Sequence, residues 1–223
     1  MITQTAEKYL KAIHRLLEDG ERVGTTALAE TLGVKPASVT NMIQRLSQSD
    51  PPLLVYQPHM GVAFTEAGRK VALRAIRHHR LLELYLYKLF GYSWDRVHEE
   101  AERMDHVISD EFGEKLSELL NDPRFDPHGD PIPTRELKIP KVNLIPICEM
   151  PVGQSRVLRR VGRDDPEFLR YLAELGLIPG KHVKLLRREP FNGPIALEIE
   201  GEHDYVEHLI GHETATDLLV DRQ

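Results

Sequence analysis

Cysteine is almost missing from this chain of 223 residues, which contains only Cys148. A single thiol cannot close an intrachain disulfide, so a disulfide framework is excluded and a reducing cytoplasm is the expected location. Cys148 stands between Ile147 and Glu149, after Ile145 and Pro146. We interpret it as a small buried or linker residue and not as a nucleophile.

Long apolar runs are also missing. No run is long enough to span a bilayer, and the N-terminal segment has no signal-peptide core, so we expect no membrane association. The chain is 41% apolar and 29% charged, which is typical of a soluble globular protein. Its length allows one large domain or two modest ones.

The net charge of −6 argues against binding nucleic acid over the whole surface, but it hides an asymmetry. From Arg22 to Arg80 there are eight basic and three acidic residues, a net charge of +5. From Leu81 to Asp130 there are five basic and thirteen acidic residues, a net charge of −8. This pattern indicates a phosphate-facing part followed by a cation-binding part.

The basic part has the pattern of a helix-turn-helix. A helix over 27–32 ends at Gly33, and Pro36 opens the next helix at a position where its missing N–H does no harm. The inner apolar stripe of that second helix consists of Val39, Met42, Ile43 and Leu46. The outward residues are Ser38, Thr40, Asn41, Gln44 and Arg45. Small polar groups and amides suit base edges in the major groove, although a plain αα-corner with a polar surface is the alternative.

A predicted hairpin follows directly. Residues 53–56 and 62–64 are strand-like and flank a turn, which indicates the winged variant of the helix-turn-helix. Thr65 is expected to cap a long helix that begins at Glu66. The basic residues of that helix that could reach a DNA backbone are Arg69, Lys70, Arg74 and Arg77.

The acidic part begins with a predicted helix from Val97 to Leu120. Residues three and four apart share a helix face, so a stripe of two imidazoles and two carboxylates is expected. It consists of His98, Glu102, Asp105 and His106. These donors suit a borderline-hard divalent cation, and a solvated acidic helix face is the alternative.

Two other segments carry similar donors. His79 and Glu83 lie four residues apart on the helix from Glu66 to Phe90, whereas His78 is off that stripe and is expected to face solvent. Asp126 and His128 lie in a proline-rich loop and are further possible ligands. The alternative for this loop is a rigid turn with an exposed histidine.

The last third of the chain changes character. Residues 135–151 contain several prolines and are predicted to be a linker. Beyond Gly153, a series of short strands with one helix over 166–175 predicts a small β-barrel. The predicted strands cover 156–161, 182–188, 195–199 and 218–220.

This order of elements resembles the diphtheria-toxin-repressor family of metal-dependent transcriptional regulators, which has iron-dependent and manganese-dependent branches. The resemblance covers nearly the whole chain. Its most specific parts are His79-Arg80-Leu81-Leu82-Glu83, the run from Val97 to Glu111, and Asp126-Pro127-His128-Gly129-Asp130-Pro131-Ile132-Pro133. The segment from Asp165 to Gly180 is similar to the SH3-like domain that these regulators share with ferrous-iron transport accessory proteins.

The resemblance implies a mainly α fold with a small β part. It places a winged helix-turn-helix at 1–65, a helical metal-binding and dimerisation domain at 66–140, a linker at 141–151 and an SH3-like β-barrel at 152–223. It implies a dimer that binds a palindromic operator in double-stranded DNA when metal is bound. We therefore expect a repressor of metal-uptake genes and not an enzyme.

The resemblance also implies site residues. One group of metal ligands is His79, Glu83 and His98, and the other is Glu102, Asp105 and His106. A secondary site is implied at Asp126 and His128, completed by Asp164 or Asp165. The positions that match DNA contacts are Thr25, Thr26, Lys35, Pro36, Ala37, Ser38, Thr40 and Asn41, to which the outward pattern adds Gln44.

Two departures from the family pattern affect the metal. Iron-type members place a cysteine where this chain has Glu102, and oxygen in place of sulfur favours Mn²⁺, with Fe²⁺ second. The family's first helix supplies a ligand near the position of Lys8, and Lys11 stands where manganese-type members carry Glu. A protonated ammonium cannot bind a metal ion. Three outcomes remain open: Glu7 substitutes, the first helix couples differently, or the site keeps fewer ligands.

Two rival functions are considered. Carboxylates and imidazoles around an ion could activate water in a metallohydrolase, but nothing in the chain marks a base or an oxyanion donor. A metal-independent winged-helix regulator, in which Lys8 replaces the cation, is the second rival.

Overall fold

The computed structural model describes residues 2–17, 22–201 and 205–222. The chain forms two compact units. The first contains residues up to 79, 102–115 and 133–138, and the second contains 80–101, 116–132 and the residues from 139 onward. None of the helices in the described ranges combines the length and the apolar character needed to cross a lipid bilayer.

The first unit opens with three helices and a hairpin. They are α1 Gln4–Leu17, α2 Thr25–Leu32, α3 Pro36–Ser47, β1 Leu54–Gln57 and β2 Gly61–Phe64. Gly33 ends α2 in the left-handed conformation, and Pro36 occupies the first turn of α3, as the sequence predicted. The antiparallel pairing of β1 with β2 confirms the wing.

One apolar core holds these elements in place. Leu10, Ile13, Leu28, Val39 and Ile43 are fully buried in it. Burial of the Val39–Ile43 stripe leaves the polar side of α3 exposed.

The hairpin is fixed to the segment just before α2 by close backbone contacts with Val23. Gly61 has a φ of +92°, and a Cβ at this position would collide with the carbonyl oxygen of Val23. Val23 forms two backbone hydrogen bonds of 2.9 Å with Val62 of β2. Thr65 then caps the next helix as predicted, because its hydroxyl accepts from the Gly68 N–H at 3.0 Å.

The predicted continuous helix from Val97 to Leu120 is wrong. α4 spans Glu66–Phe90, as the sequence predicted. The run that begins at Val97 forms α5 Val97–Met104, a 3-10 turn at Asp105–Val107 and α6 Asp110–Leu119. The Ser109 hydroxyl accepts from the Phe112 N–H at 3.1 Å, so Ser109 starts a new helix. Asp105 and His106 therefore leave the helical stripe on which the sequence pattern placed them.

The second unit contains a six-stranded antiparallel sheet in the order β3-β8-β4-β5-β6-β7. Its strands are β3 Leu144–Pro146, β4 Ser155–Val161, β5 His182–Arg188, β6 Ile195–Glu200, β7 Tyr205–Ile210 and β8 Leu218–Asp221. Two helices accompany them, α7 Pro166–Glu174 and α8 His212–Thr216. The sequence pattern missed β7 and α8.

The segment predicted as a linker, 141–151, differs from that expectation. It contains β3, which pairs with β8, and a 3-10 turn at Ile147–Glu149. Ile145, Ile147 and Met150 belong to the buried core of the sheet. Proline is tolerated here because β3 is an edge strand. Cys148 is buried, in agreement with the sequence interpretation.

Candidate metal centre and DNA-binding surface

The polar face of α3 is available for a partner. Pro36, Ala37, Ser38, Asn41 and Gln44 are exposed, as are Thr26 and Lys35, whereas Thr25 and Thr40 are half-buried. The Thr40 hydroxyl donates to the Pro36 carbonyl oxygen at 3.1 Å, so its proton is used within the helix. Asn41 and Gln44 are therefore the exposed amides best suited to hydrogen bonds with base edges.

The basic side chains of α4 are largely paired within the first unit. Arg77 is buried, donates to the Pro133 carbonyl oxygen at 2.8 Å and pairs with Glu114 at 3.2 Å. Arg74 pairs with Asp110 at 3.2 Å. The expectation that Arg77 could reach DNA is wrong, because its guanidinium holds the segment after α6 instead.

A first group of donors, the Glu83 cluster, lies in the second unit and consists of Glu83, His98, Asp126 and His128. Glu83 of α4 is buried, and its Oε1 lies 3.0 Å from Nδ1 of His98 on α5. Donor atoms of Glu83, Asp126 and His128 all lie within 4.8 Å of one another, and all three residues are buried. The alternative of an exposed His128 is therefore wrong.

The orientation of His128 is set by a main-chain group. Its Nε2 lies 2.7 Å from the carbonyl oxygen of Trp94, which can only accept a hydrogen bond. Nε2 therefore carries the proton, and the lone pair of the neutral ring is on Nδ1. A histidine whose second nitrogen donates to a carbonyl is the usual arrangement of a metal ligand.

Asp126 is held by its own loop. Its Oδ1 accepts from the N–H of His128 at 2.8 Å and from the N–H of Asp130 at 2.9 Å. Its Oδ2 lies 3.6 Å from Nε of Arg80, whose guanidinium also donates to the Pro131 carbonyl oxygen at 2.6 Å. Oδ1 of Asp126 thus accepts two hydrogen bonds from the loop, and Oδ2 is the oxygen that could bind a metal ion.

The electrostatics of the Glu83 cluster favour a cation. Burial raises the pKa of the Asp126 carboxyl well above its ordinary value, and the negative charges of Asp130 and Glu83 add to this effect. Arg80 opposes the rise without cancelling it. Buried carboxylate oxygens and imidazole nitrogens are donors that fit Mn²⁺ or Fe²⁺.

The two aspartates at the start of α7 have different roles. Asp164 lies 3.9 Å from Nε2 of His98, so it borders the Glu83 cluster. Asp165 accepts from the Phe168 N–H at 2.9 Å and is the N-cap of α7. The contact with His98 therefore supports Asp164 among the two candidates that the sequence left open.

A second group, the lysine–carboxylate cluster, lies in the first unit and consists of Lys8, Lys11, Glu102 and Asp105. Lys8 Nζ lies 2.8 Å from Oε2 of Glu102, and Lys11 Nζ lies 2.7 Å from Oδ2 of Asp105. Lys11 also approaches Oε1 of Glu102 at 3.5 Å. The Asp105 side chain is only 5% exposed and that of Lys11 16% exposed, so this pair is well shielded from water.

His79 adds a further contact to Asp105. Its Nδ1 lies 2.9 Å from Oδ2 of Asp105, which as a carboxylate accepts the proton, so the lone pair of the ring is on Nε2. The 3.5 Å approach of Lys11 Nζ to the same Nδ1 is then a contact and not a hydrogen bond. Burial opposes ionisation of Asp105, but the hydrogen bond from His79 and the charge of Lys11 prevail and lower its pKa.

The lysine–carboxylate cluster does not fit a metal ion. Oε2 of Glu102 and Oδ2 of Asp105 are already hydrogen-bonded to ammonium groups, which offer no lone pair. Within the described residues, Glu102, Asp105 and His106 do not form a close three-donor set. Nδ1 of His106 is 4.0 Å from Oδ1 of Asp105 and is buried without a hydrogen-bond partner in the described part of the chain.

Two other residues also differ from their predicted surroundings. Glu7 lies on the buried side of α1, and burial and then the charge of Asp105 raise the pKa of its carboxyl. It does not join a close donor set in the described ranges. His78, predicted to face solvent, is buried beside Gly113 and 3.4 Å from Asp110.

Sequence reasoning missed two elements of these sites. The Trp94 carbonyl has no side-chain signature, and the loop-fixing role of Arg80 depends on contacts with residues about fifty positions away. The pairing of Lys8 with Glu102 spans 94 residues, and the sequence had raised Lys8 only in a rival hypothesis, in which it replaces the cation.

Comparison with known proteins identifies the family. Three domain models match in succession: the iron-dependent repressor N-terminal DNA-binding domain at residues 1–62, the iron-dependent repressor metal-binding and dimerisation domain at 65–134, and the FeoA domain at 145–220. The iron-dependent repressor IdeR of Mycobacterium tuberculosis is 30% identical over 194 residues, which is 82% of this chain and 84% of that protein.

The chain belongs to the iron-dependent repressor family.

Solved structures of similar proteins agree with this membership. A manganese-dependent transcriptional repressor in complex with manganese is 32% identical, with a TM-score of 0.86 over 97% of this chain and 99% of that one. ScaR with bound Zn²⁺ is 30% identical, with a TM-score of 0.79 over 98% and 99% of the two chains.

Membership in the iron-dependent repressor family confirms the main predictions from the sequence. The fold has an N-terminal DNA-binding domain, a helical dimerisation domain and a C-terminal FeoA domain of the SH3-like type. Family members are metal-dependent transcriptional repressors and not enzymes, so the metallohydrolase alternative is not supported. The predicted partners, double-stranded DNA and a second copy of the chain, agree with the family domains, and Mn²⁺ and Fe²⁺ agree with the relatives' names.

Proposed function

We propose that this protein is a Mn²⁺- or Fe²⁺-responsive repressor of metal-uptake genes that acts in the cytoplasm as a dimer on palindromic operators. The observation that carries the metal part is the Glu83 cluster, in which buried carboxylates and oriented imidazoles converge. The observation that carries the DNA part is the exposed amide face of α3 beside a wing.

The proposed ligands are Glu83, His98, Asp126 and His128. Asp164 is a further candidate because it borders His98. His79 is another, because it precedes Glu83 by one turn of α4 and its lone pair is on Nε2. A bound divalent ion would add positive charge beside the buried carboxylates of Glu83 and Asp126.

The preference among metals follows from the donors. Carboxylate oxygen and imidazole nitrogen without thiolate favour Mn²⁺, and Fe²⁺ is the second choice. Neutralising Glu83 and Asp126 stabilises the conformation in which their side chains converge. If the conformation that binds DNA also binds the ion more tightly, the ion raises the affinity for DNA. The coupling free energy between the two sites is then about 1–3 kcal/mol.

The proposed mode of DNA binding follows from the two-fold symmetry of a dimer. Two copies of α3 related by a two-fold axis contact two half-sites, so the operator is expected to be palindromic. Asn41 and Gln44 are proposed to contact base edges, and Lys35 a phosphate. The remaining proposed contacts are Thr25, Thr26, Pro36, Ala37, Ser38 and Thr40.

The experiment is a binding-site selection from random double-stranded DNA, with and without Mn²⁺. We expect a palindromic sequence to be enriched with Mn²⁺ and an affinity about 5- to 150-fold lower in chelator. The Glu83→Gln variant should lose this difference, whereas the matched Glu111→Gln variant, at an exposed position of α6, should keep it. Equal affinity with and without Mn²⁺ and Fe²⁺ in the unmodified protein would exclude the proposed metal response.

A further inference from the structure

We propose that Lys8 and Lys11 take the place of a metal ion at Glu102 and Asp105, so that α1 is held by a metal-independent ionic contact and divalent ions bind at the Glu83 cluster alone. This inference rests on the proposed function for the role of the Glu83 cluster. The ionic contact itself is observed directly.

The charges of the lysine–carboxylate cluster balance. Two ammonium groups face two carboxylates, with Nζ–O distances of 2.8 Å for Lys8 and 2.7 Å for Lys11. Two lysines supply the same positive charge as one divalent ion. An additional ion at these oxygens would therefore meet two like charges at contact distance, and repulsion would oppose its entry.

Hydrogen bonds also occupy one carboxylate oxygen of Asp105. Oδ2 of Asp105 receives both Lys11 and the Nδ1–H of His79, at 2.7 and 2.9 Å. Displacing Lys11 would separate a half-buried ammonium from a buried carboxylate, since the side chains of Lys11 and Asp105 are 16% and 5% exposed. Separating such a shielded pair is costly, so the lysine competes well with an incoming ion.

The cluster also has a neutral contact that fixes α1. Nε2 of Gln4 donates to the main-chain oxygen of Glu102 at 3.2 Å. Gln4, Lys8 and Lys11 are three or four residues apart, so they lie on one face of α1. This face therefore contacts the end of α5 and the 3-10 turn by side chains that require no metal.

The Glu83 cluster has an arginine, Arg80, where the other cluster has two lysines. The guanidinium of Arg80 is 3.6 Å from Oδ2 of Asp126, which is longer than a hydrogen bond, and it donates to the Pro131 carbonyl oxygen instead. Oδ2 of Asp126 therefore forms a longer ion pair with Arg80 than the 2.7 Å pair that Asp105 forms with Lys11. In this proposal the lysine–carboxylate cluster holds α1 with or without metal, and the Glu83 cluster binds the divalent ion.

The first test counts ions by equilibrium dialysis of the full chain against Mn²⁺ with elemental analysis. We expect Glu102→Gln to bind as many ions per chain as the unmodified protein, with an affinity changed less than about twofold. Glu83→Gln should lose ions, and the double variant Lys8→Asp/Lys11→Glu should gain one ion per chain because its added carboxylates replace the cations. Loss of an ion in Glu102→Gln would overturn the proposal.

The second test needs no substitution. Amine acetylation followed by mass spectrometry measures the reactivity of each lysine, with exposed Lys70 as the internal reference. We expect the reactivity of Lys8 and Lys11 to be the same in Mn²⁺ and in chelator. A rise of both upon Mn²⁺ addition would show that the ion displaces them and would overturn the proposal.

These tests distinguish the inference from the proposed function. If Mn²⁺ does not bind or does not alter DNA binding, the proposed function fails at the Glu83 cluster. The double-mutant cycle Lys11→Met/Asp105→Asn, measured in chelator by urea unfolding, then still tests the ionic contact. A coupling free energy of zero in that cycle would contradict it.

Discussion

Nζ of Lys11 lies 2.7 Å from Oδ2 of Asp105, across 94 residues of chain. The pair joins the first helix to the 3-10 turn in which the predicted metal-binding helix is interrupted. A lysine on α1 thus contacts a carboxylate that the sequence pattern assigned to a metal ion.

Replacing Lys11 should destabilise the fold even in chelator. Lys11→Met leaves the carboxylate of Asp105 buried with His79 as its remaining partner, and loss of one member of a buried pair costs about 3 kcal/mol of unfolding free energy. Urea denaturation with excess chelator measures this loss.

The matched control for that experiment is Lys8→Met. Its side chain is 42% exposed and its partner Glu102 28% exposed, so the loss should be below about 1 kcal/mol. Equal losses in the two variants would argue against a special role for the shielded pair.

Asp126→Asn should separate metal binding from folding. The amide oxygen of asparagine can still accept from the N–H groups of His128 and Asp130, so the loop is expected to keep its conformation. The lost negative charge should weaken Mn²⁺ binding by at least about 10-fold and reduce the effect of Mn²⁺ on DNA binding.

Isothermal titration with Mn²⁺ and urea denaturation in chelator measure the two effects. We expect unfolding in chelator to be unchanged or slightly more difficult, because the substitution removes a buried carboxyl whose ionisation is opposed by burial. An unfolded variant in chelator would show that the charge of Asp126 is needed for the loop itself.

Asn41→Ala should weaken DNA binding without changing metal binding. The side chain is exposed on α3, and losing a hydrogen bond to a base edge costs about 1–3 kcal/mol, or about 10-fold or more in affinity. Fluorescence anisotropy on the selected operator measures the loss, and Mn²⁺ titration provides the comparison. Gln48→Ala, at an exposed position just after α3, is the control and should bind normally.

Ser109→Ala tests the interruption of the predicted helix. The Ser109 hydroxyl caps α6 through the Phe112 N–H, and loss of such a cap costs about 1 kcal/mol. Thermal unfolding in chelator measures the change. Ser155→Ala, at an exposed position of β4, should have no comparable effect, and a similar loss there would remove the support for the cap.

Much of the fold was predictable because it follows from local patterns. The bounds of β5, His182–Arg188, agree with the predicted strand residue for residue, and Pro36 marked the start of α3. The predicted secondary structure was wrong where a local feature, such as a helix cap or a proline, opposed the pattern of apolar residues or concealed it. Ser109 capped a new helix although residues 97–112 contain no glycine or proline that would mark a break, and prolines in an edge strand resembled a linker.

The sequence by itself determined the winged helix-turn-helix, the inventory of carboxylates and imidazoles, and the absence of a thiol from that inventory. Each depends on residue identity and on spacings of a few residues, which local backbone geometry converts into shared faces. Only the tertiary structure decided which donors meet: Glu83 with Asp126 and His128, and Asp105 with Lys11. The members of these pairs are distant in sequence. Their contacts depend on how buried charges are neutralised when the helices pack, and the spacing of neighbouring residues carries no information about that.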